Sequence, residues 1–366
     1  MAADDPTRDS SSSTSESSTF RPGMLLEGRY RLVRPLGEGG MGTVWVAHQI
    51  VLERDVAIKS CCDGWEDHHK ARLRREALAL ATIRHPSVVQ VFDLGELPGG
   101  LPFIVMELIE GESLAQRIER EGPLDAVEAV SLVLPLLDGL SVAHASGVVH
   151  RDLKPENVLL ANAEAGVRAK LVDFGIARLD RSSTRLTVDG SFVGTPAFMA
   201  PEQIRGVGDD ERVDVWGAAA LLYATMTGSP PFVATDILGL LRRVVEEPPS
   251  YPRAAKSLDG KLWRILMDAM RKDPGDRTAT VAALRDELSA WLEKKGPPSS
   301  KNRPIAAVGS AISMVTTAPP PSSWTQSQAN PSDAGPPSNG APLSSDAEIS
   351  PEGIIDTLIR QKLRDT

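Results

Sequence analysis

The stretch that decides the fold reads His150-Arg151-Asp152-Leu153-Lys154-Pro155-Glu156-Asn157. It sets a carboxylate, Asp152, two residues before the ammonium of Lys154 and five before the amide of Asn157. Phosphoryl transfer from a nucleotide needs those three chemistries together. A carboxylate takes the proton of an incoming hydroxyl, a cation neutralises charge on the moving group, and an amide oxygen helps hold Mg2+. A run this short can arise by accident, so the weight falls on what flanks it.

Upstream lies Gly37-Glu38-Gly39-Gly40-Met41-Gly42-Thr43-Val44, after the strand-like Tyr30-Arg31-Leu32-Val33. Glycines let backbone N–H groups approach phosphate oxygens with no Cβ in the way. A dinucleotide-binding turn requires a helix to begin at such glycines. Here Thr43-Val44-Trp45-Val46-Ala47 continues as β-branched and aromatic strand, so the pattern is strand–turn–strand and the dinucleotide reading fails. Val56-Ala57-Ile58-Lys59 then reads as a buried strand ending in a lysine that can reach the α- and β-phosphates, provided a carboxylate holds it. Glu76, in the helical stretch 70–82, is the candidate. Most glutamates are simply solvated, but Leu73, Ala77 and Leu80 flank this one at helical spacing and turn it toward the core.

Downstream, Leu171-Val172-Asp173-Phe174-Gly175 is a short apolar strand ending in a carboxylate suited to bridging a metal, with a glycine that permits a turn. Gly194-Thr195-Pro196 and Ala200-Pro201-Glu202 follow. Asp214-Val215-Trp216-Gly217 opens an apolar helix to about Thr227, and Arg277 closes Asp273-Pro274-Gly275-Asp276-Arg277.

In this order and spacing the segments resemble the eukaryotic-type (Hanks-type) serine/threonine protein kinases, in the style found in bacteria, over roughly Tyr30 to Trp291. The resemblance implies an α+β fold of two lobes, a small β-rich N-lobe and a larger helical C-lobe. It implies ATP as phosphoryl donor, with Mg2+, for which Mn2+ can substitute. Asp152 becomes the catalytic base and Lys154 the stabiliser of the transferring group; Asn157 and Asp173 become the metal ligands. Lys59 contacts the phosphates and Glu76 holds it. Leu36, Gly37, Glu38, Gly39, Gly40, Met41 and Gly42 form the loop over the nucleotide, and Val44, Ala57 and Leu159 the walls of the adenine slot. Phe103 to Ile109 resembles the strand that runs into the hinge, making Met106 the gatekeeper and Glu107 and Ile109 the backbone readers of the base. His150 is expected to be a packed structural histidine near Phe174.

Lys154 and Thr195 both point to Ser/Thr acceptors, because tyrosine kinases generally lack a lysine at that spacing. Arg151 stands where such kinases receive a phosphorylated residue that orders the loop between Asp173 and Glu202. Thr187 is the expected phosphorylation site, and Asp189 supplies a fixed negative charge that partly stands in for a second phosphate. The implied partners are ATP, protein substrates and a transient homodimer for trans-autophosphorylation in signal transduction. A pseudokinase scaffold is disfavoured because Lys59, Asp152 and Asp173 are all present; a small-molecule kinase is disfavoured by the Gly-Thr-Pro and Ala-Pro-Glu segments. Three features depart from the pattern. Pro135 falls within the helix expected over 125–144 and should bend it, the hairpin over 161–168 is slightly long, and Gly217 replaces a serine common in relatives.

The 366 residues leave both ends over, giving expected segments of 1–29 (a disordered Ser-rich tail), 30–294 (the catalytic domain), 295–349 (a disordered Pro/Ser-rich linker) and 350–366 (a short C-terminal helix). The tails are too poor in apolar residues to offset chain entropy. In the last segment Ser350 caps, Pro351 starts, and Ile354, Ile355, Leu358, Ile359 and Leu363 share one face. The uncharged run 305–318 falls short of the about 20 apolar residues that a membrane span needs, so a linker is expected rather than a span. The net charge is −9, with −2 on residues 1–29 and none on 295–366, which offers no basic footprint for nucleic acid. Cys61 and Cys62 are adjacent and poorly placed to bridge, and with no signal-peptide pattern near the start a cytoplasmic location is expected.

Overall fold

The computed structural model describes residues 20–39, 42–60, 67–97, 100–163, 166–175, 196–207, 210–252 and 258–296. Six strands build one antiparallel sheet in the order β1-β2-β3-β4-β6-β5: β1 Leu25–Leu26, β2 Tyr30–Gly39, β3 Gly42–Gln49, β4 Arg54–Ser60, β5 Val91–Glu96 and β6 Pro102–Glu107. Helix α1, Asp67–Thr82, lies against it. Alternation along the strands sorts side chains to two faces. Trp45, Val56, Ile58, Phe103 and Val105 fill one small core, whereas Val44, Ala57, Ile104 and Met106 join Leu73, Ala77 and Leu80 of α1 in the main core. The helical period of those three α1 residues and the strand period of the sheet thus converge on one buried layer.

Below the sheet, β7 Gly111–Ser113 pairs with β8 Val158–Ala163, which pairs with β9 Gly166–Leu171. The helices are α2 Leu114–Glu121, α3 Ala126–Ala145, α4 Pro201–Arg205, α5 Arg212–Thr227, α6 Ile237–Glu246, α7 Gly260–Ala269 and α8 Val281–Leu292. Side-chain caps set their starts: Ser113 and Gln116 make a reciprocal capping box on α2, and Asp125 accepts from Glu128 N on α3. Helix α5 is apolar on all sides and lies at the centre of the helical lobe, ending at Gly228 in the left-handed region. Pro135 sits inside α3 without ending it, at the loss of one backbone bond. Among the described residues α3 alone is long and apolar enough to cross a membrane, and it packs between α5 and α8 as a core helix.

The folded body starts earlier than residue 30. Gly23 N donates to Leu32 O, Leu32 N donates to Met24 O, and Phe20 packs on Trp45 with ring centroids 6.1 Å apart. Residues 20–29 therefore cover the outer core of the sheet and do not belong to a tail. The C-terminal helix expected at 350–366 and the run 305–318 lie outside the described residues.

Candidate active site

Chain geometry around residues 150–157 places the chemistry. A 3-10 turn, Pro155–Asn157, follows Lys154, whose backbone is extended as a residue before proline must be. The turn brings Asn157 Nδ2 to 2.9 Å from Asp152 Oδ2 and 2.8 Å from the Asp152 carbonyl, while Lys154 Nζ lies 3.2 Å from Asp152 Oδ2. Asn157 thus spends its N–H groups on Asp152 and keeps its amide oxygen for another partner. Val172 N donates to Asn157 O at 3.0 Å, which sets Asp173 beside this turn. Asp173, at φ +56°, reaches Lys59 Nζ at 2.9 Å. One amide oxygen and one carboxylate on adjacent segments are hard donors of the kind that Mg2+ takes from protein when phosphates complete its shell.

Lys59 is not held by Glu76 as the sequence suggested. It pairs with the carboxylate of Asp173, while Glu76 Oε1 faces Arg151 NH1 at 3.4 Å. The cause is geometric. Leu73, Ala77 and Leu80 do turn Glu76 inward, but the left-handed backbone of Asp173 delivers a carboxylate to Lys59, and Arg151 occupies the side of Glu76.

Burial and local contacts fix the rest of the turn. His150 is fully buried; its Nε2 donates to Val172 O at 3.0 Å, its Nδ1 accepts from Asp152 N at 3.3 Å, and its ring packs on Phe174 with centroids 4.5 Å apart. Burial pushes its pKa below the usual imidazole range, so the neutral ring suits both contacts. Gly175 N donates to His150 O at 2.7 Å, and a Cβ at Gly175 would come within 2.8 Å of that oxygen. Glu156 is buried with both carboxylate oxygens unpartnered, and desolvation pushes its pKa upward.

The proposed nucleotide slot follows from sheet register. Gly39 pairs with Gly42, Val44 lies opposite Lys59, and Ala57 lies opposite Met106. Val44, Ala57, Met106, Ile109 and Leu159 are all buried in the main core, with Leu36 packed against it. Glu107 N donates to Gln90 O at 2.8 Å, and Lys170 Nζ holds both oxygens of its side chain at 2.7 Å. Gly37 pairs with Val44 and Glu38 with Thr43, so paired strand reaches Gly39 on one side and starts at Gly42 on the other. Gly40 and Met41, together with Thr187, Asp189 and Thr195, lie outside the described residues.

Two contacts were not legible beforehand. Asp214, at the start of α5, accepts from His150 N at 2.7 Å and Arg151 N at 2.8 Å, and thereby anchors the turn that carries Asp152. Arg277 makes a two-pronged pair with Glu202 at 2.6 and 2.9 Å, both side chains buried. For Asp214 the available signal was a carboxylate in the first turn of an apolar helix, because buried charges need partners; Arg277 stands in a polar turn whose neighbours are exposed or half-buried, and nothing local marked it as buried.

Comparison with known proteins agrees with this arrangement. A family model described as "Protein kinase domain" matches residues 30–289. The serine/threonine-protein kinase PknB of Mycobacterium leprae is 37% identical over 284 residues, covering 75% of this chain and 45% of that protein. The serine/threonine-protein kinase pkn3 of Myxococcus xanthus is 36% identical over 277 residues, covering 73% of this chain and 51% of that one. Among solved structures, the kinase domain of Mycobacterium tuberculosis PknI aligns with a TM-score of 0.60 at 25% identity, over 76% of this chain and all of that one. The chain spans about half the length of the curated relatives it matches.

Proposed function

The chain belongs to the protein kinase domain family, and from that premise we propose that it transfers the γ-phosphoryl group of ATP to serine and threonine hydroxyls of proteins. The observation that carries the reading is the cluster of Asp152, Lys154 and Asn157 on one turn, with Lys59 and Asp173 paired beside it. In this reading Asp152 orients the acceptor hydroxyl and takes its proton, and Lys154, 3.2 Å away, offsets charge on the group in transit. Asn157 and Asp173 would hold Mg2+, which when bound neutralises phosphate charge. Lys59 grips the phosphates, and the slot lined by Val44, Ala57, Met106 and Leu159 takes the adenine, with the backbone of Glu107 and Ile109 reading its edge.

Arg151 and Glu76 carry the regulatory part of the proposal. Autophosphorylation at Thr187 between two copies of the chain would present a dianion to Arg151, and Glu76 would then be released toward Lys59. The test is direct. Purified full chain is incubated with γ-labelled ATP, Mg2+ and a cell extract, and the phosphorylated residues are mapped. Label on serine and threonine supports the reading; an inactive chain, or label confined to small molecules, overturns it.

A further inference from the structure

Lys272, in the segment between α7 and α8, meets ring faces and a carbonyl where a desolvated ammonium ordinarily meets a carboxylate. Its Nζ lies 4.2 Å from the ring centroid of Phe232 and 4.8 Å from that of Trp216. Those two rings are stacked, with centroids 5.9 Å apart and planes within 6° of parallel. The same Nζ donates at 2.5 Å to Val244 O, in the last turn of α6. The charges that act on it are Arg205 at the end of α4, Arg277, and Glu247 just past α6. Burial, then the two guanidiniums, pull its pKa down to about 7, and Glu247 opposes them more weakly. The cation is therefore present below about pH 7 and lost above it. A neutral amine keeps a hydrogen for Val244 O but loses the attraction of the ring faces.

The three groups gathered by Lys272 belong to different parts of the helical lobe. Trp216 is buried in the central helix α5, Phe232 is buried in the stretch between α5 and α6, and Val244 is buried on α6. Helix α6 packs mainly on the turn Pro196–Phe198 and on α4. That segment lies beside the catalytic turn, because Gln203 Nε2 donates to Arg151 O at 2.9 Å and Gln203 Oε1 accepts from Ala200 N at 2.9 Å. A protein chain that brings a hydroxyl to Asp152 has to cross this segment, next to α6. At the near end of α6, Val233 and Leu238 are 40% and 48% exposed, which leaves apolar side chains open to such a chain. The groups proposed to bind nucleotide, namely Lys59, the glycine turn and the hinge, sit on other elements.

We propose that Lys272 is a positioning residue for the protein substrate: its ammonium, clamped by the faces of Trp216 and Phe232 and by Val244 O, holds α6 against the segment that the acceptor chain crosses. The inference rests on the kinase reading above and concerns how that site takes its protein substrate. It assigns Lys272 an effect on KM for the peptide, and none on KM for ATP.

The test uses the full chain, Lys272→Met, which keeps length and removes the charge, and Lys272→Arg, whose charge stays fixed and stacks on rings. The substrate is a synthetic peptide without histidine, chosen from sequences that the wild-type chain labels. Lys272→Met should raise KM for the peptide about fivefold, with KM for ATP, and kcat at saturating peptide, within about twofold of wild type. Lys272→Arg should stay within about twofold of wild type in all three. At saturating ATP, wild-type KM for the peptide should rise about threefold between about pH 6 and about pH 8, while that of Lys272→Arg stays level. A wild-type peptide KM in Lys272→Met, a KM for ATP that rises in step with it, or equal losses in the two variants overturns the proposal. If Lys272→Met does not fold, the same pH profile of peptide KM in the wild type and Lys272→Arg overturns it. An inactive wild-type chain would instead overturn the kinase reading, and this inference with it.

Discussion

At the scale of single residues, Asp152 and Lys59 make separable demands. Asp152→Asn keeps the shape and the Asn157 contact but cannot accept a proton, so kcat should fall by about 10^2 to 10^4 with the melting temperature unchanged. Removing Lys59, by Lys59→Met, takes away the cation that faces Asp173 at 2.9 Å but leaves the apolar slot. Nucleotide affinity, measured by titration calorimetry, should fall far less than kcat. Retention of most activity in Lys59→Met would mean that the phosphates are gripped elsewhere. The buried pair of Arg277 and Glu202 is structural by contrast: Glu202→Gln leaves an uncompensated guanidinium inside the helical lobe and should cost about 3–5 kcal/mol in denaturant unfolding. A loss under about 1 kcal/mol would mean that the backbone oxygens of Arg212 and Arg271 satisfy Arg277 without Glu202.

At the scale of elements, spacing within a segment was readable and pairing between segments was not. Within the turn from His150 to Asn157 the side chains of Asp152, Lys154 and Asn157 meet through contacts five residues apart or fewer, and the strand pattern on either side of the glycines is a local alternation, so both could be seen in the chain. Glu202 and Arg277 stand 75 residues apart, and Arg151 and Asp214 63 apart; nothing in the sequence ranks such partners until the helices pack. Glu76 shows the boundary between the two cases: helical period gave its facing correctly, but its choice between Lys59 and Arg151 depends on where the backbone of another segment turns. The joint of α7 and α8 gives an element-scale prediction. Asp259 caps α7 through Lys261 N and Leu262 N and also accepts from Trp291 Nε1 and Lys295 Nζ on the α8 side. Burial alone would push its carboxyl up; the bonds from Lys295, Leu262 and Trp291 outweigh this and hold it down at about 2. Because the folded value lies below the unfolded one, Asp259 contributes stability above about pH 4 that is lost as pH falls toward about 2. Asp259→Asn should therefore flatten the acid limb of stability against pH in that window; an unchanged acid limb would show that the joint is held by packing alone.

At the scale of the whole molecule, the edges of the folded body are set by contacts that composition hid. Phe20 follows a serine-rich run, which made residues 1–29 read as one tail, yet Phe20 and Met24 cover the outer core of the sheet. At the other end Lys295 closes on Asp259 at 2.7 Å. A chain cut to residues 20–296 should keep the fold and basal activity, whereas one cut to 30–294 should melt several degrees lower, because it loses β1, the Phe20 packing and the Lys295 pair. Equal melting temperatures would place both ends outside the cooperative unit. In the proposed reaction the turn carrying Asp152, Lys154 and Asn157 moves a phosphoryl group from ATP to a protein hydroxyl. The most direct test compares the full wild-type chain with Asp152→Asn, each given γ-labelled ATP, Mg2+ and a mixed serine/threonine peptide library. The account predicts label on serine and threonine from the wild type and loss of nearly all of it in the variant at unchanged nucleotide affinity. Equal labelling by the two chains would contradict it.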